Sequence, residues 1–172
     1  MRVNNGMKFE KELPKRKKIR LEDRDYSACG VYFITICTLD RRNYFWRNIP
    51  VGAIIDRPQC IDYTLSSCGE IVNEAIKKIP IAYPRLSVDS YVIMPNHIHL
   101  MLRICGNTCE QPTVTPAIPR VIKQLKGYVS KRVGATIWQK SFHDHIIRNH
   151  EDYEKHLKYI QDNPIHWDTD IL

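Results

Sequence analysis

Apolar and polar positions along the chain follow two rhythms, one with a period of two residues and one with a period of about 3.6. Three stretches rich in β-branched and aromatic residues are typical of strands: VYFITICT (31–38), LSVDSYVIM (86–94) and HIHLMLRI (97–104). Only Pro95-Asn96 separates the last two stretches, so they predict a hairpin.

The first helical pattern lies at 66–80, where apolar residues recur on one side of a helix. Ser67 and Glu70 have the spacing of a capping box at its start. Pro80 predicts its end. The residues before this helix are harder to assign, and a short hairpin within 51–65 is one interpretation of them.

Two more helices follow the hairpin. One is predicted at 120–133 with Gly134 as its stop, and the other at 151–162 with Asn149 as its N-cap. Residues 137–147 between them are expected to be extended. This order of elements predicts an α+β sandwich, in which helices pack on one face of an antiparallel sheet.

The bulk properties are those of one basic globular domain. The 172 residues are 43% hydrophobic and 26% charged, which fits a single folded domain at 25–172. Residues 1–24 are polar and include the run PKRKKIR, which predicts a basic, flexible N-terminal arm. The net charge of +7 is compatible with a nucleic-acid partner.

Neither a membrane segment nor a zinc-finger pattern is present in the sequence. No apolar run approaches the roughly 20 residues that span a bilayer, and the N-terminus lacks the apolar core of a signal peptide. We therefore expect a soluble, cytoplasmic protein with no membrane partner. The six cysteines include no CxxC pair, so they are expected to be reduced and mostly structural.

Two histidines occupy alternate positions of the third strand-like stretch. Residues i and i+2 of a strand project to the same face, so His97 and His99 point together while Ile98 points away. Two imidazoles on one face can bind one divalent cation; the plainer alternative is two polar residues on a solvent face. A second pair, His143 and His145, has the same spacing, and the sequence alone does not rank the two pairs. The remaining histidines are expected at the surface.

A tyrosine lies in a basic part of the helix predicted at 120–133. Tyr128 is at the edge of the apolar stripe and is surrounded by the cations Lys123, Lys126, Lys131 and Arg132. A phenol in this position can reach into a cleft while cations hold a phosphate backbone, and tyrosine can act as a covalent nucleophile. The plainer alternative is a half-buried packing residue.

Four stretches within 31–167 carry a resemblance to a known family. They are VYFITICTLDRR, YVIMPNHIHLML, LKGYVSKRV and IWQKSFHDHIIRNHEDYEKHLKYIQDNP. Together they resemble the single-tyrosine HUH transposases. The Trp-Gln dipeptide and the HDHIIRN block favour the branch of REP-associated tyrosine transposases within that family.

The resemblance implies a ferredoxin-like α+β core with a C-terminal helical extension. In it, His97 and His99 match the metal pair, Tyr128 matches the nucleophile, and the metal is Mg²⁺ or Mn²⁺. The implied activity is cleavage and rejoining of single-stranded DNA, often beside a hairpin, through a 5′-phosphotyrosine intermediate. The resemblance leaves both a monomer and a homodimer open. The predicted DNA contacts are Lys123, Lys126, Lys131, Arg132, Trp138, His145 and Arg148.

One position departs from the pattern of the family. Relatives often place Asn or Gln four residues after the tyrosine, where the amide completes the metal's ligands, but Arg132 stands at that position. The third ligand is therefore open among Gln124, His143, His145 and water. The departure also leaves two alternatives open: a domesticated, non-catalytic protein that binds hairpin or single-stranded nucleic acid, and a metal phosphodiesterase without a covalent intermediate.

Aromatic residues near the basic helix have two interpretations. Trp138 and Phe142 could stack on unpaired bases, or they could pack against the last helix.

Overall fold

The fold is built around one antiparallel sheet. A computed structural model describes residues 28–47, 64–105, 117–164 and Trp167. The strands of this part of the chain are β1 (Gly30–Cys37), β2 (Leu86–Ile93), β3 (His97–Ile104) and β4 (His143–Ile147). They lie in the order β2-β3-β1-β4, and every neighbouring pair is antiparallel. This is the strand arrangement of a ferredoxin-like sandwich, so the predicted fold class is confirmed.

The helices follow the predicted order. They are α1 (Ser67–Lys77), α2 (Ile79–Ala82), α3 (Ile118–Val133) and α4 (His150–Asp162). Pro80 does not end the helical structure as predicted, because it lies in the first turn of α2. A proline is tolerated there, since the N–H that it lacks would have no helical partner.

Helices α1 and α3 form the layer on one face of the sheet. Tyr91 of β2 is opposite Leu100 of β3 in the register, so both side chains project to this face. The Tyr91 hydroxyl donates to Oδ1 of Asn73 on α1 at 2.7 Å. Helix α3 packs beside α1 and buries an apolar stripe at one-turn spacing, as predicted.

Helix α4 covers the opposite face. Phe33 of β1 is opposite Met101, the neighbour of Leu100 in β3, so it projects away from α1. Its ring centroid lies 4.6 Å from that of His156 and 6.0 Å from that of Tyr159, both on α4. The expectation that the helices share one face is therefore wrong. Both faces of β3 carry side chains that are removed from water, and one layer of helices covers only one of them.

The start of α1 differs from the prediction by one residue. Ser66, in extended backbone, is the N-cap, and its Oγ accepts the N–H of Gly69 at 3.0 Å. A capping box would need Glu at the position of Gly69, so the predicted box of Ser67 and Glu70 is wrong. The same Ser66 hydroxyl donates to the carbonyl oxygen of Tyr44, which ties the helix to the loop after β1.

We expect Ser66→Ala to lower the free energy of unfolding by about 1 kcal/mol, because α1 loses its side-chain cap. Ser67→Ala is the matched control: this neighbouring serine is exposed, and its replacement should change stability by less than about 0.5 kcal/mol. Urea unfolding of both variants measures the difference. Equal losses in the two variants would contradict the assignment of the cap.

Two other helix ends agree with the prediction. Gly134 ends α3 with a φ of 78°, a left-handed conformation that favours glycine. Asn149 caps α4 by accepting the N–H of Asp152 at 2.8 Å. The segment predicted as extended at 137–147 forms a strand only from His143 onward.

Some predictions fall on residues that the structure does not describe. They are the basic arm at 1–24 and, apart from its last two residues, the hairpin within 51–65. Within the described ranges, no helix combines the length and the apolar character needed to cross a membrane.

Candidate functional site

The two histidines of β3 lie side by side at the start of this strand, which is an inner strand of the sheet. Nε2 of His97 and Nε2 of His99 are 3.1 Å apart, and each residue is only 1% exposed. The prediction that the two rings share a face is confirmed. The alternative of two polar residues on a solvent face is excluded by their burial.

Hydrogen bonds at the far side of each ring orient the pair. Nδ1 of His97 lies 2.8 Å from Oδ1 of Asn96, whose amide nitrogen donates to the carbonyl oxygen of Arg41. An amide oxygen only accepts, so Nδ1 of His97 carries the proton and Nε2 of a neutral ring is a bare lone pair. Nδ1 of His99 lies 2.8 Å from Oγ1 of Thr35 in the neighbouring strand.

Burial keeps His99 neutral. It lowers the pKa of this imidazole to about 2, with further contributions from the nearby His97 and His156. The ring therefore stays uncharged at physiological pH, which is the form that ligates metals.

The pair has the spacing that a shared cation requires. A divalent ion about 2.1 Å from each of two nitrogens, at an angle near 90°, separates those nitrogens by about 3.0 Å. The observed separation of 3.1 Å between the two Nε2 atoms matches this value. His97 and His99 therefore fit as two adjacent ligands of one ion.

A tyrosine of α4 packs directly against this pair. The ring centroid of Tyr159 lies 5.2 Å from that of His99, at an interplanar angle of 68°. The residue is 36% exposed, so it borders both the buried imidazoles and solvent. No role was predicted for Tyr159 from the sequence.

A buried amide follows one helical turn after this tyrosine. Asn163 is 3% exposed, and among the described residues neither its Oδ1 nor its Nδ2 has a hydrogen-bond partner. Buried polar atoms without a partner are uncommon and often mark the site of a ligand. The next aromatic along the chain, Trp167, has its ring centroid 6.2 Å from that of His97. In sequence, Asn163 lies midway between Tyr159, whose ring contacts His99, and Trp167, whose ring contacts His97.

Tyr128, the predicted nucleophile, lies in the other layer. Its hydroxyl accepts a hydrogen bond from Nζ of Lys78 at 3.0 Å and donates to Oε1 of Glu74 at 3.3 Å, both on α1. Arg132 pairs with the same Glu74 at 3.8 Å. The sheet therefore separates this phenol from the two histidines, and the predicted convergence does not occur within one chain. The physical reason is that α3 packs beside α1, on the face away from the imidazoles.

The structure corrects two of the predicted DNA contacts. Nζ of Lys126 donates to the carbonyl oxygens of Gln139 and Ser141, at 2.9 and 2.6 Å, and so holds the segment before β4. Trp138 is 4% exposed and its ring packs 5.3 Å from that of Phe45, so it cannot stack on a base. Phe142 is also buried, so both aromatics are packing residues, although the partner of Trp138 is Phe45 and not the predicted last helix.

The other predicted contacts are divided between the two faces of the sheet. Lys123, Lys131 and Arg132 are exposed on α3, in the layer away from the imidazoles. His145 of β4 and the exposed Arg148 lie close to α4: Nε2 of His145 is 2.8 Å from Oδ2 of Asp152, and the backbone N–H of Arg148 donates to the same oxygen.

None of the three predicted third ligands lies at the pair. Gln124 borders a groove between α1, α2 and α3 that also contains Tyr128. His143 is exposed, and His145 is engaged with Asp152. His156 was expected at the surface but is half-buried against Phe33, because α4 turns this side toward the sheet.

A groove of about 430 Å³ opens beside the tyrosine of α4. It is lined by Phe33, Lys155, His156, Lys158, Tyr159 and Asp162. The two lysines are exposed, so they offer positive charge next to the phenol. Neither lysine was predicted as a DNA contact, because the cations around Tyr128 carried that prediction.

Comparison with known proteins adds independent information. A Haemophilus influenzae protein of uncharacterized function is 29% identical over an alignment of 184 positions, which covers 96% of this chain and 97% of that protein. The REP-associated tyrosine transposase of Escherichia coli is 27% identical over 143 residues, which cover 83% of this chain and 70% of that protein. No protein-family model matches the chain.

One solved structure supports the fold. It is a REP-associated tyrosine transposase bound to a REP hairpin, and it is 23% identical to this chain. The two superpose with a TM-score of 0.53 over 86% of this chain and 74% of that one.

Proposed function

We propose that this chain, a relative of the REP-associated tyrosine transposases, cleaves and rejoins single-stranded DNA through a tyrosine–DNA intermediate. The named relative supports a transposase-type protein that acts on DNA. The finer assignment rests on one observation: the ring of Tyr159 lies 5.2 Å from that of His99, which faces His97.

In this proposal, three side chains hold the divalent ion. They are the two imidazoles of His97 and His99 and the amide oxygen of Asn163, and water completes the shell. The amide supports this role because it is buried without a partner among the described residues. Bound Mg²⁺ or Mn²⁺ would supply Lewis-acid polarisation of a phosphate oxygen.

Tyr159 is the proposed nucleophile. Its hydroxyl oxygen attacks the phosphorus and forms a bond to the 5′-phosphate, while the bond from phosphorus to the 3′-oxygen breaks. The phenol proton passes to solvent, and the leaving 3′-oxygen takes up a proton to become a hydroxyl. The reverse attack by a 3′-hydroxyl restores the tyrosine and joins the strands, so no nucleoside triphosphate is needed.

With Tyr159 as the nucleophile, the chain no longer departs from the family pattern at the fourth position after the tyrosine. Counted from Tyr159, the fourth residue onward is Asn163, an amide of the type that relatives often place there. Arg132 then has a different role: it pairs with Glu74 at 3.8 Å in the other layer. Arg132 therefore no longer favours the alternative of a non-catalytic protein that only binds nucleic acid.

Hairpin or single-stranded DNA is the proposed substrate. The solved relative bound to a REP hairpin supports this choice, and so does the groove that Lys155 and Lys158 line beside Tyr159. Phosphates in this groove would lie next to the phenol, whereas the cations of α3 are in the layer away from it.

We expect Lys155→Ala with Lys158→Ala to weaken binding to a hairpin with a single-stranded flank. If each lysine contacts one phosphate of the single strand, the double variant should reduce the slope of log Kd against log salt by about 1.4, or about 0.7 per contact. Fluorescence anisotropy at several salt concentrations measures this slope.

The matched control for that variant is Lys123→Ala with Lys131→Ala. These lysines are exposed on α3, so the control removes the same charge from the other layer and should leave the slope unchanged. A larger effect from the α3 variant would instead place the DNA interface on α3, among the cations predicted from the sequence around Tyr128.

The proposed function is tested by incubating the protein with a labelled, hairpin-flanked oligonucleotide and Mg²⁺ or Mn²⁺. We expect a covalent protein–DNA adduct on a denaturing gel, together with a fragment that carries a free 3′-hydroxyl. Cleavage that leaves free ends on both fragments would instead indicate a metal phosphodiesterase. Salt-sensitive binding with no cleavage at any ion concentration would indicate a binding protein.

A further inference from the structure

A second group of potential metal ligands lies where β4 meets α4. Nε2 of His145 is 2.8 Å from Oδ2 and 3.1 Å from Oδ1 of Asp152. Nδ1 of His156 is 3.2 Å from Oδ1 of the same carboxylate. The three ligand atoms all lie within 4.8 Å of one another. Nothing in the proposed reaction uses these side chains.

The two imidazole rings of the cluster lie close together. The imidazoles of His145 and His156 are stacked, with centroids 4.7 Å apart and planes inclined by 16°. They belong to different elements, and the Asp152 carboxylate lies against both. The hydrogen bond from His145, followed by the bond from the Arg148 backbone, lowers the pKa of Asp152 against the opposing effect of burial, so the carboxylate is anionic.

This cluster is separate from the pair on β3. The ring of Phe33 contacts one ring of each group: its centroid is 4.6 Å from that of His156 and 5.1 Å from that of His99. The Nε2 atoms of the buried pair face each other. The two groups would therefore hold two different ions.

We propose that His145, Asp152 and His156 form a second cation site, selective for a nitrogen-preferring ion such as Zn²⁺. Two imidazole nitrogens and one carboxylate oxygen are a common zinc ligand set, and they leave a position for water. The site proposed on β3 also offers two imidazoles, but its third ligand is a neutral amide, whereas Asp152 brings a negative charge to this site.

Binding requires a rotation of the His145 ring, because two nearly parallel rings cannot both direct a lone pair at one ion. The protons that now lie between the imidazoles and the carboxylate leave when the ion enters. Nδ1 of His156 also lies 2.8 Å from the carbonyl oxygen of Asp152. That oxygen stands four residues earlier in the same helix, so the backbone N–H of His156 remains its partner. The His145 side chain is 45% exposed and has room to rotate toward the ion.

The ion would link α4 to β4, because its proposed ligands lie on both elements. Tyr159 follows His156 by three residues on the same side of the helix, so a fixed His156 also restricts the tyrosine. This consequence rests on the proposed function, whereas the site itself does not.

Calorimetric titration of Zn²⁺ into EDTA-treated protein tests the site. The parent for the test is the His97→Ala, His99→Ala variant, which lacks the buried pair. We expect this parent to retain one Zn²⁺ site, and we expect either His145→Ala or His156→Ala in it to weaken that site at least about tenfold. His150→Ala is the matched control: His150 is also on α4 and highly exposed, and its loss should not change the affinity.

Asp152→Asn provides a second variant in case a histidine variant disturbs packing. It keeps the shape of the side chain but removes the charge, and it too should weaken Zn²⁺ binding. A parent that binds no Zn²⁺, or an affinity that is unchanged by His145→Ala and by Asp152→Asn, would overturn the proposal. Because no DNA is present, either result leaves the proposed strand cleavage untouched, and a failure to cleave DNA leaves this site untouched.

Discussion

Tyr159→Phe is expected to abolish the covalent protein–DNA adduct and to leave hairpin binding within about twofold of the original. The substitution removes one oxygen, the atom proposed to bond to phosphorus, and retains the ring that packs 5.2 Å from His99. No other change to the site is introduced, so the fold and the metal ligands should be preserved. Denaturing electrophoresis with a labelled hairpin-flanked oligonucleotide measures the adduct, and anisotropy measures binding.

Tyr128→Phe is the matched control for this prediction. It also removes a single phenolic oxygen, but one that bonds to Lys78 and Glu74 in the other layer. We expect adduct formation at the original rate. If Tyr128→Phe loses the adduct while Tyr159→Phe retains it, the nucleophile predicted from sequence is correct, and a second copy of the chain must bring it to the histidines.

The second large effect is expected from His97→Ala. Loss of this ligand should slow strand cleavage at least about 100-fold, because Lewis-acid activation contributes several kcal/mol to phosphoryl chemistry and each 1.4 kcal/mol is about tenfold in rate. DNA binding should fall far less, since the exposed lysines of the groove are unchanged. Single-turnover cleavage rates, measured across a range of Mn²⁺ concentrations, test this.

His143→Ala is the control for the loss of an imidazole. His143 lies on β4 opposite Thr35, on the same face as the pair, but it is exposed. Its replacement should change the cleavage rate by less than about threefold. A rate in His97→Ala equal to that of the original protein, at limiting Mn²⁺, would remove the metal from the proposed mechanism.

Most of the fold could be predicted because its signals are local. The period-two pattern of 97–104 and the Pro95-Asn96 break determine a strand and a turn within a few residues of sequence. The same pattern placed both histidines on one face, and their Nε2 atoms are 3.1 Å apart. The start of α1 was misassigned because two adjacent serines, Ser66 and Ser67, are chemically equal candidates for the cap.

The tyrosine could not be chosen from local signals. Tyr128 is surrounded by lysines, and a charged helix next to a phenol is typical of a phosphate site, but the sequence pattern does not show which face of the sheet the helix covers. That depends on the packing of α3 beside α1. The family resemblance supplied a spacing of four between tyrosine and amide, and Tyr159 with Asn163 satisfies it.

Asn163 was overlooked for a related reason. Next to Pro164 it is typical of a helix end, and no ligand role was predicted for it. Its burial at 3% and its lack of partners among the described residues became visible only in three dimensions. A search for every Tyr-x-x-x-Asn and Tyr-x-x-x-Gln in the sequence returns Tyr159 with Asn163 and also Tyr44 with Asn48.

The most direct test is to identify the tyrosine that carries DNA in the unmodified protein. After reaction with the hairpin-flanked oligonucleotide, nuclease and trypsin digestion followed by mass spectrometry would locate the attached nucleotide. We predict that it lies on the peptide 159–172, at Tyr159. A nucleotide on the peptide 127–131, which contains Tyr128, would contradict the proposed site.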